Sequence, residues 1–94
     1  METLTKAQLI EKEQIPTLSF KNRAFVEQPQ NLMGKLVEAT RLGNLHRGKS
    51  RIIFQDDDSI KSVETTIWAT GSSYIVLKGG VWLPISRIVD LQII

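Results

Sequence analysis

Tyr74-Ile75-Val76-Leu77-Lys78-Gly79-Gly80-Val81-Trp82-Leu83-Pro84-Ile85 is the stretch whose reading decides the fold. Two short runs of β-branched, aromatic and leucine residues flank a glycine pair. Glycine takes positive φ without steric cost, so Gly79-Gly80 is the strongest hairpin signal in the chain. Residues 74–78 and 81–85 are therefore expected as antiparallel strands. If the glycines form a two-residue turn, Leu77 faces Trp82 and Val76 faces Leu83, but the sequence leaves this register open. Both faces of the hairpin are apolar, so one face needs a cover from elsewhere.

Working outward, Gly71-Ser72-Ser73 turns the chain, and residues 61–70 before it alternate as a strand. In that strand Val63, Thr65, Ile67 and Ala69 share one face, while Glu64, Thr66 and Trp68 share the other. Asp56-Asp57-Asp58-Ser59 is a polar turn behind a further strand at residues 51–55. Downstream, Ser86-Arg87 makes a short corner before a terminal strand at 88–94. These are five short strands at the spacing of a small all-β barrel.

Before the strands, residues 30–42 predict a helix, with Pro29 at its start and Leu32, Met33, Leu36, Val37 and Thr40 at helical spacing. Gly43-Asn44 supplies the stop signal. This helix or a second subunit is the candidate cover for the apolar sheet face. Thr5-Lys6-Ala7-Gln8 has the spacing of a capping box, so a short first helix is expected before Ile15-Pro16. Residues 17–20 and 24–27 alternate and are read as extended segments, lying on the body or trailing.

Composition limits the function classes. The chain has 94 residues, enough for one domain with one modest core, and no cysteine, which removes disulfides, thiolate metal sites and cysteine nucleophiles. Its single histidine, His46, has no serine or cysteine partner at motif spacing, and the acids Glu38, Glu64 and Asp90 lie on different elements. No acid–base pair is readable, so the chain is expected not to be an enzyme and to need no cofactor. Met1-Glu2-Thr3-Leu4-Thr5-Lys6 lacks the apolar core of a signal peptide, and no apolar run reaches membrane-spanning length, so a cytoplasmic chain with no membrane partner is expected.

The net charge of +2 is unevenly spread: Arg41, Arg47, Lys49 and Arg51, with His46, form a run free of acids. It reads as a solvated connection or as a phosphate-contacting stripe. Trp68 shares its face with Glu64 and Thr66, so it is either packed under the helix or displayed for stacking; Trp82 is expected in the core. The three aspartates could offer oxygen ligands to a metal, but Lys61 and Ile67 stand where a calcium loop needs its glycine and glutamate. An exposed, soluble turn is the expectation, with no metal. Lys78-Gly79-Gly80 opens a strand and not a helix, so it is a hairpin turn and not a phosphate loop.

The order of one helix, five strands and a one-turn corner before the last strand resembles the Sm-like fold, an SH3-like small barrel, and in particular its bacterial RNA-chaperone branch. The similarity covers residues 29–94. It is carried by residues 68–78, which look like the family's second turn and third strand, and by residues 83–89, which look like its fourth strand, corner and fifth. The phrases VETTIWATG and LKGGVWLPISRIV also resemble small proteins of unassigned function from Bacteroidetes-type bacteria. The family's aromatic-Asp and Lys-His positions are here Thr70-Gly71 and Leu83-Pro84.

The resulting expectation is a mainly β chain. Residues 1–28 form a partly extended lead, and residues 29–94 form a helix and a five-stranded SH3-like or Sm-like barrel, the whole having an N-terminal helical lead. The resemblance implies a binding module for RNA, with Arg41, His46, Arg47, Lys49, Arg51, Trp68 and Tyr74 as the nucleic-acid-binding residues. The alternative is a protein-interaction or homo-oligomerisation module. A homo-oligomer is expected, because the terminal strand carries no lysine or proline to discourage edge pairing.

Overall fold

A computed structural model describes residues 7–22 and 25–94 of the chain. Among them are seven strands: β1 (Gln8–Leu9), β2 (Ser50–Gln55), β3 (Ile60–Thr65), β4 (Ile67–Thr70), β5 (Tyr74–Leu77), β6 (Val81–Pro84) and β7 (Ile88–Ile93). One α-helix, α1 (Leu32–His46), precedes β2, and short 3-10 helices span Lys12–Thr17 and Ile85–Arg87. The strands form two sheets, of order β1-β3-β2-β7 and β4-β5-β6. The expected mainly β character is present; the five strands expected after the helix are found as six, β2 to β7, within a few residues of their expected places and divided between the two sheets.

The hairpin differs from expectation by one residue. Gly79 and Gly80 both have positive φ, at 88° and 83°, but Lys78 joins them in a three-residue connection closed by the Gly80 amide on the Leu77 carbonyl at 2.9 Å. Leu77 therefore pairs with Val81, Val76 with Trp82, Ile75 with Leu83 and Tyr74 with Pro84. A one-residue change of register moves a side chain to the other face. Ile75, Leu77 and Leu83 point inward and are fully buried, whereas Trp82, expected in the core, is 61% exposed on the outer face.

The strand expected over 61–70 is two strands divided at Thr66. β3 pairs with β2 from Ser50↔Thr65 to Gln55↔Ile60, whereas β4 pairs with β5, so Thr66 is where the chain passes from one sheet to the other. Its carbonyl accepts the Lys78 amide at 2.9 Å. Val63, Thr65 and Ile67 are buried as expected, but Ala69 is exposed and Thr66 buried. The reason lies in β4: Ile67 opposes Leu77 and Ala69 opposes Val76, so Trp68 is an extra residue in a bulge and face alternation is broken there.

Helix α1 continues past its expected stop. Leu32, Leu36, Ala39 and Gly43 form its buried stripe, packed on β4 and β7. A Cβ added at Gly43 would stand 2.7 Å from the Ile67 carbonyl oxygen and 2.8 Å from the Thr66 methyl. Gly43 thus serves close approach of helix to strand and not a left-handed turn. The left-handed residue is Arg47 (φ 53°), whose amide closes on the Gly43 carbonyl at 3.0 Å.

The lead is also corrected. Gln8 and Leu9 run parallel to Lys61 and Ser62, and the Ile10 amide bonds the Ser62 carbonyl at 2.9 Å. An isolated helix of one or two turns cannot recover its nucleation cost, while the edge of β3 offers hydrogen bonds at once. Thr5 and Lys6 of the expected capping box lie outside the described residues. A capping box does exist one turn later, where Glu11 and Gln14 open the 3-10 helix. Ile10 and Ile15 enter the same core cluster as Ile52, Phe54 and Leu83, and Leu18 and Phe20 pack against it. Residues 17–20 and 25–27 contain no strand, and Ala24 lies outside the described residues.

The terminal strand, expected to have an undefended edge, has two groups seated on it. The Asp90 carboxylate accepts the Leu91 amide at 2.8 Å and the Lys35 ammonium at 3.0 Å. The Gln28 amide donates to the carbonyls of Ile85 and Ile88, at 2.7 and 2.9 Å. The first occupies the Leu91 amide within β7, and the second covers the carbonyls of the corner and of the strand's first residue. Among the described residues no helix is long and apolar enough to cross a membrane.

Candidate functional site

The chain reverses direction at Arg47, and Lys49 leads into β2. These two residues form one wall of a cleft of about 490 Å³. Its floor is the close crossing of Gly43 over Thr66, with Glu64 and Thr65 beside it. Trp68 stands at one end, half-exposed at 47% by virtue of its bulge. Lys78 enters from the hairpin and Lys12 and Glu11 from the lead's 3-10 helix.

Four cations line this cleft, but they are not equally free. Lys12 bonds Glu13 at 2.8 Å. Arg47, Lys49 and Lys78 have no ion-pair partner among the described residues. Of the two cleft acids, Glu64 is engaged: its carboxylate is paired with Arg51 at 2.8 Å, directly across the β2–β3 ladder. Among the described residues, an anion entering the cleft therefore meets three positive groups without an ion-pair partner and one aromatic face, set against the single unpaired carboxylate of Glu11 at the lead's side.

The structure divides the residues expected to contact nucleic acid. Arg47, Lys49 and Trp68 come together in the cleft. Arg41 does not: it is paired with Glu38 at 2.6 Å on the exposed side of α1, and this contact holds the Glu38 carboxyl below its ordinary pKa and the arginine above its own. Arg51 is turned to Glu64. His46 ends the helix, exposed. Tyr74 lies on the outer face of β5, edge-on to Trp82 with ring centroids 5.6 Å apart. Lys12 carries no signal in the sequence, Lys78 reads there only as part of a hairpin turn, and Trp82 only as a core residue. Lys78 beside the glycine pair was the one visible signal, because a three-residue connection leaves it outside the ladder.

The aspartate run does other work than an exposed turn. Asp56 is buried, with Lys61 at 2.6 Å and the Asp58 and Ser59 amides at 2.8 Å. Burial alone would raise its pKa, but the Lys61 ammonium and those amides outweigh it and the carboxyl ends below its ordinary value. Asp57 accepts the Ser19 hydroxyl at 2.6 Å, the Arg87 guanidinium at 2.8 Å and the amides of Lys21 and Asn22. Its pKa is held far below the carboxylate range, by the Ser19 hydroxyl first and then by Arg87. Arg87, only 4% exposed, also donates to the carbonyls of Gln55 and Asn22 and lies 5.7 Å over the Phe20 ring. Two of the three carboxylates are thus engaged by cations of the chain itself, and only Asp58 is exposed.

Comparison with protein-family models, with curated proteins and with solved structures finds no match for this chain.

Proposed function

We propose that the chain is a non-enzymatic binding module, an Sm-like small β-barrel in architecture, that contacts single-stranded RNA through the cleft between the end of α1 and β3–β4. The observation that carries this is the convergence of Arg47, Lys49 and Lys78, unpaired among the described residues, on a cleft with half-exposed Trp68. Phosphate neutralisation and base stacking need these two groups side by side. For the architecture, support comes from the helix, the strand neighbours β7-β2-β3 and β4-β5-β6 linked through Thr66, and the 3-10 corner before β7.

The test is oligonucleotide affinity across a salt series. Three neutralised phosphates on a single strand give a slope of log affinity against log salt of about −2. Arg47→Glu with Lys49→Glu should abolish binding, while Arg41→Glu, on the far side of α1, should leave it. Absence of binding at low salt, or equal effects of the two charge reversals, overturns the proposal. Protein contact, including self-association, is the second reading, favoured by the exposed Tyr74 and Trp82.

A further inference from the structure

The outer face of β4-β5-β6 holds a second set of exposed aromatic residues, continuous with the cleft. Ala69, Val76 and Trp82 form one row across the three strands, because Ala69 pairs with Val76 and Val76 with Trp82. Tyr74 and Pro84 form the next outward row. Trp68, in the bulge beside Ala69, borders both this face and the cleft.

We infer that a single-stranded nucleic acid leaving the cleft runs over Val76 and places a base on the Tyr74–Trp82 pair, making Trp82 a second stacking residue. This rests on the nucleic-acid reading of the cleft. The two rings are in contact without any ligand: they meet at 63° with 5.6 Å between centroids, and yet Tyr74 stays 45% and Trp82 61% exposed. A stacking platform needs that combination of rigidity and open ring face.

The span also fits. β4 and β6 are two strand spacings apart, about 10 Å, which corresponds to roughly three nucleotide steps at the stacked rise. The outward residues Trp68, Ala69, Tyr74, Val76, Trp82 and Pro84 include no acid, and the positive groups lie at the cleft end, where Lys78 leaves β5. A chain of alternating phosphate and base is complementary to cations at one end and rings along the rest. A second copy of this protein would bring the same positive cleft wall with it.

The two tryptophans make the test direct, since Trp68→Phe leaves Trp82 as sole reporter and Trp82→Phe leaves Trp68. Each variant is titrated at low salt with RNA and DNA oligonucleotides of about three and about nine nucleotides. Both lengths should quench Trp68, and only the longer should quench Trp82. Trp82→Ala and Tyr74→Ala should each weaken the longer ligand about tenfold and leave the shorter unchanged. If the longer ligand binds but Trp82 emission and both alanine variants are indifferent to length, the inference falls while the cleft reading stands. If no oligonucleotide binds, both fall. If Trp82→Ala removes concentration-dependent light scattering and leaves oligonucleotide affinity intact, the face belongs to a second copy and the inference is wrong.

Discussion

Gly43 passes so close to Ile67 that a single added methyl would sit 2.7 Å from the Ile67 carbonyl oxygen. The obstacle is backbone, which cannot rotate aside, so helix and strand must separate to admit any side chain. Gly43→Ala gains about 1 kcal/mol of helix propensity and loses about 1–3 kcal/mol to overpacking. The expected outcome is a lower melting temperature, with weaker oligonucleotide binding because Arg47 moves with the helix end. A variant more stable than wild type would show that the crossing has slack.

Arg47 offers the opposite case. A non-glycine residue at φ 53° is strained by about 1 kcal/mol, and its side chain is exposed. Arg47→Gly should keep or raise the melting temperature while reducing nucleic-acid affinity, separating stability from binding. Loss of both would mean that the arginine stem is needed for packing.

The Leu36 side chain is fully buried between α1 and the sheets. Leu36→Ala should cost about 2–5 kcal/mol, and Leu36→Asp more, because an unpaired charge is added to the cavity. Chemical denaturation measures both; equal stability of all three proteins would mean that α1 does not cover the core.

The strand-forming stretches of the body, their turns and the existence of α1 were legible from period and turn residues, but the division of 61–70 at Thr66 was not. That Arg47, Lys49 and Trp68 line one cleft was not legible, because it depends on how α1 crosses β4. Other features were hidden for physical reasons. A glycine signals either a left-handed turn or a close approach, and only the tertiary contact at Ile67 tells which applies at Gly43. Gly79-Gly80 marks a hairpin but not its length, so the face of Trp82 was decided by one residue of register. Arg41 was recoverable, since Glu38 lies three positions away on the same helix face. Lys12 was not, because its place in the cleft depends on where the lead docks.

Asp57 predicts the acid limit of the fold. Its folded pKa lies below the unfolded value of about 3.9, so the unfolded chain binds the proton more readily. The stabilisation is complete above that value and is lost as pH falls below it towards the folded pKa. Wild type should therefore lose stability below about pH 4. Asp57→Asn should be less stable at neutral pH and show a flatter decline with acid, Asp56, Glu13 and Glu38 supplying the slope that remains. Identical pH profiles would mean that the Ser19 and Arg87 contacts are not maintained in solution.

Asp90 gives a test of the β7 edge. Asp90→Ala frees the Leu91 amide and leaves Lys35 unpaired. Light scattering across a concentration series should show more association in the variant than in wild type. Equal scattering would locate any self-association elsewhere on the molecule.

Arg87 joins parts of the chain that are remote in sequence: its partners Asp57, Gln55 and Asn22 lie 30, 32 and 65 positions away. Closing loops of that length is slow compared with forming a hairpin. The aspartate turn and residues 19–22 both precede in sequence the guanidinium that neutralises Asp57. A chain cut before Arg87 would carry a hairpin with an uncompensated carboxylate and a lead that lacks the Arg87 contact at Asn22, though not its pairing with β3. Arg87 thus couples seating of the lead at Asn22 to completion of the corner, two parts of the chain that share no sheet hydrogen bond.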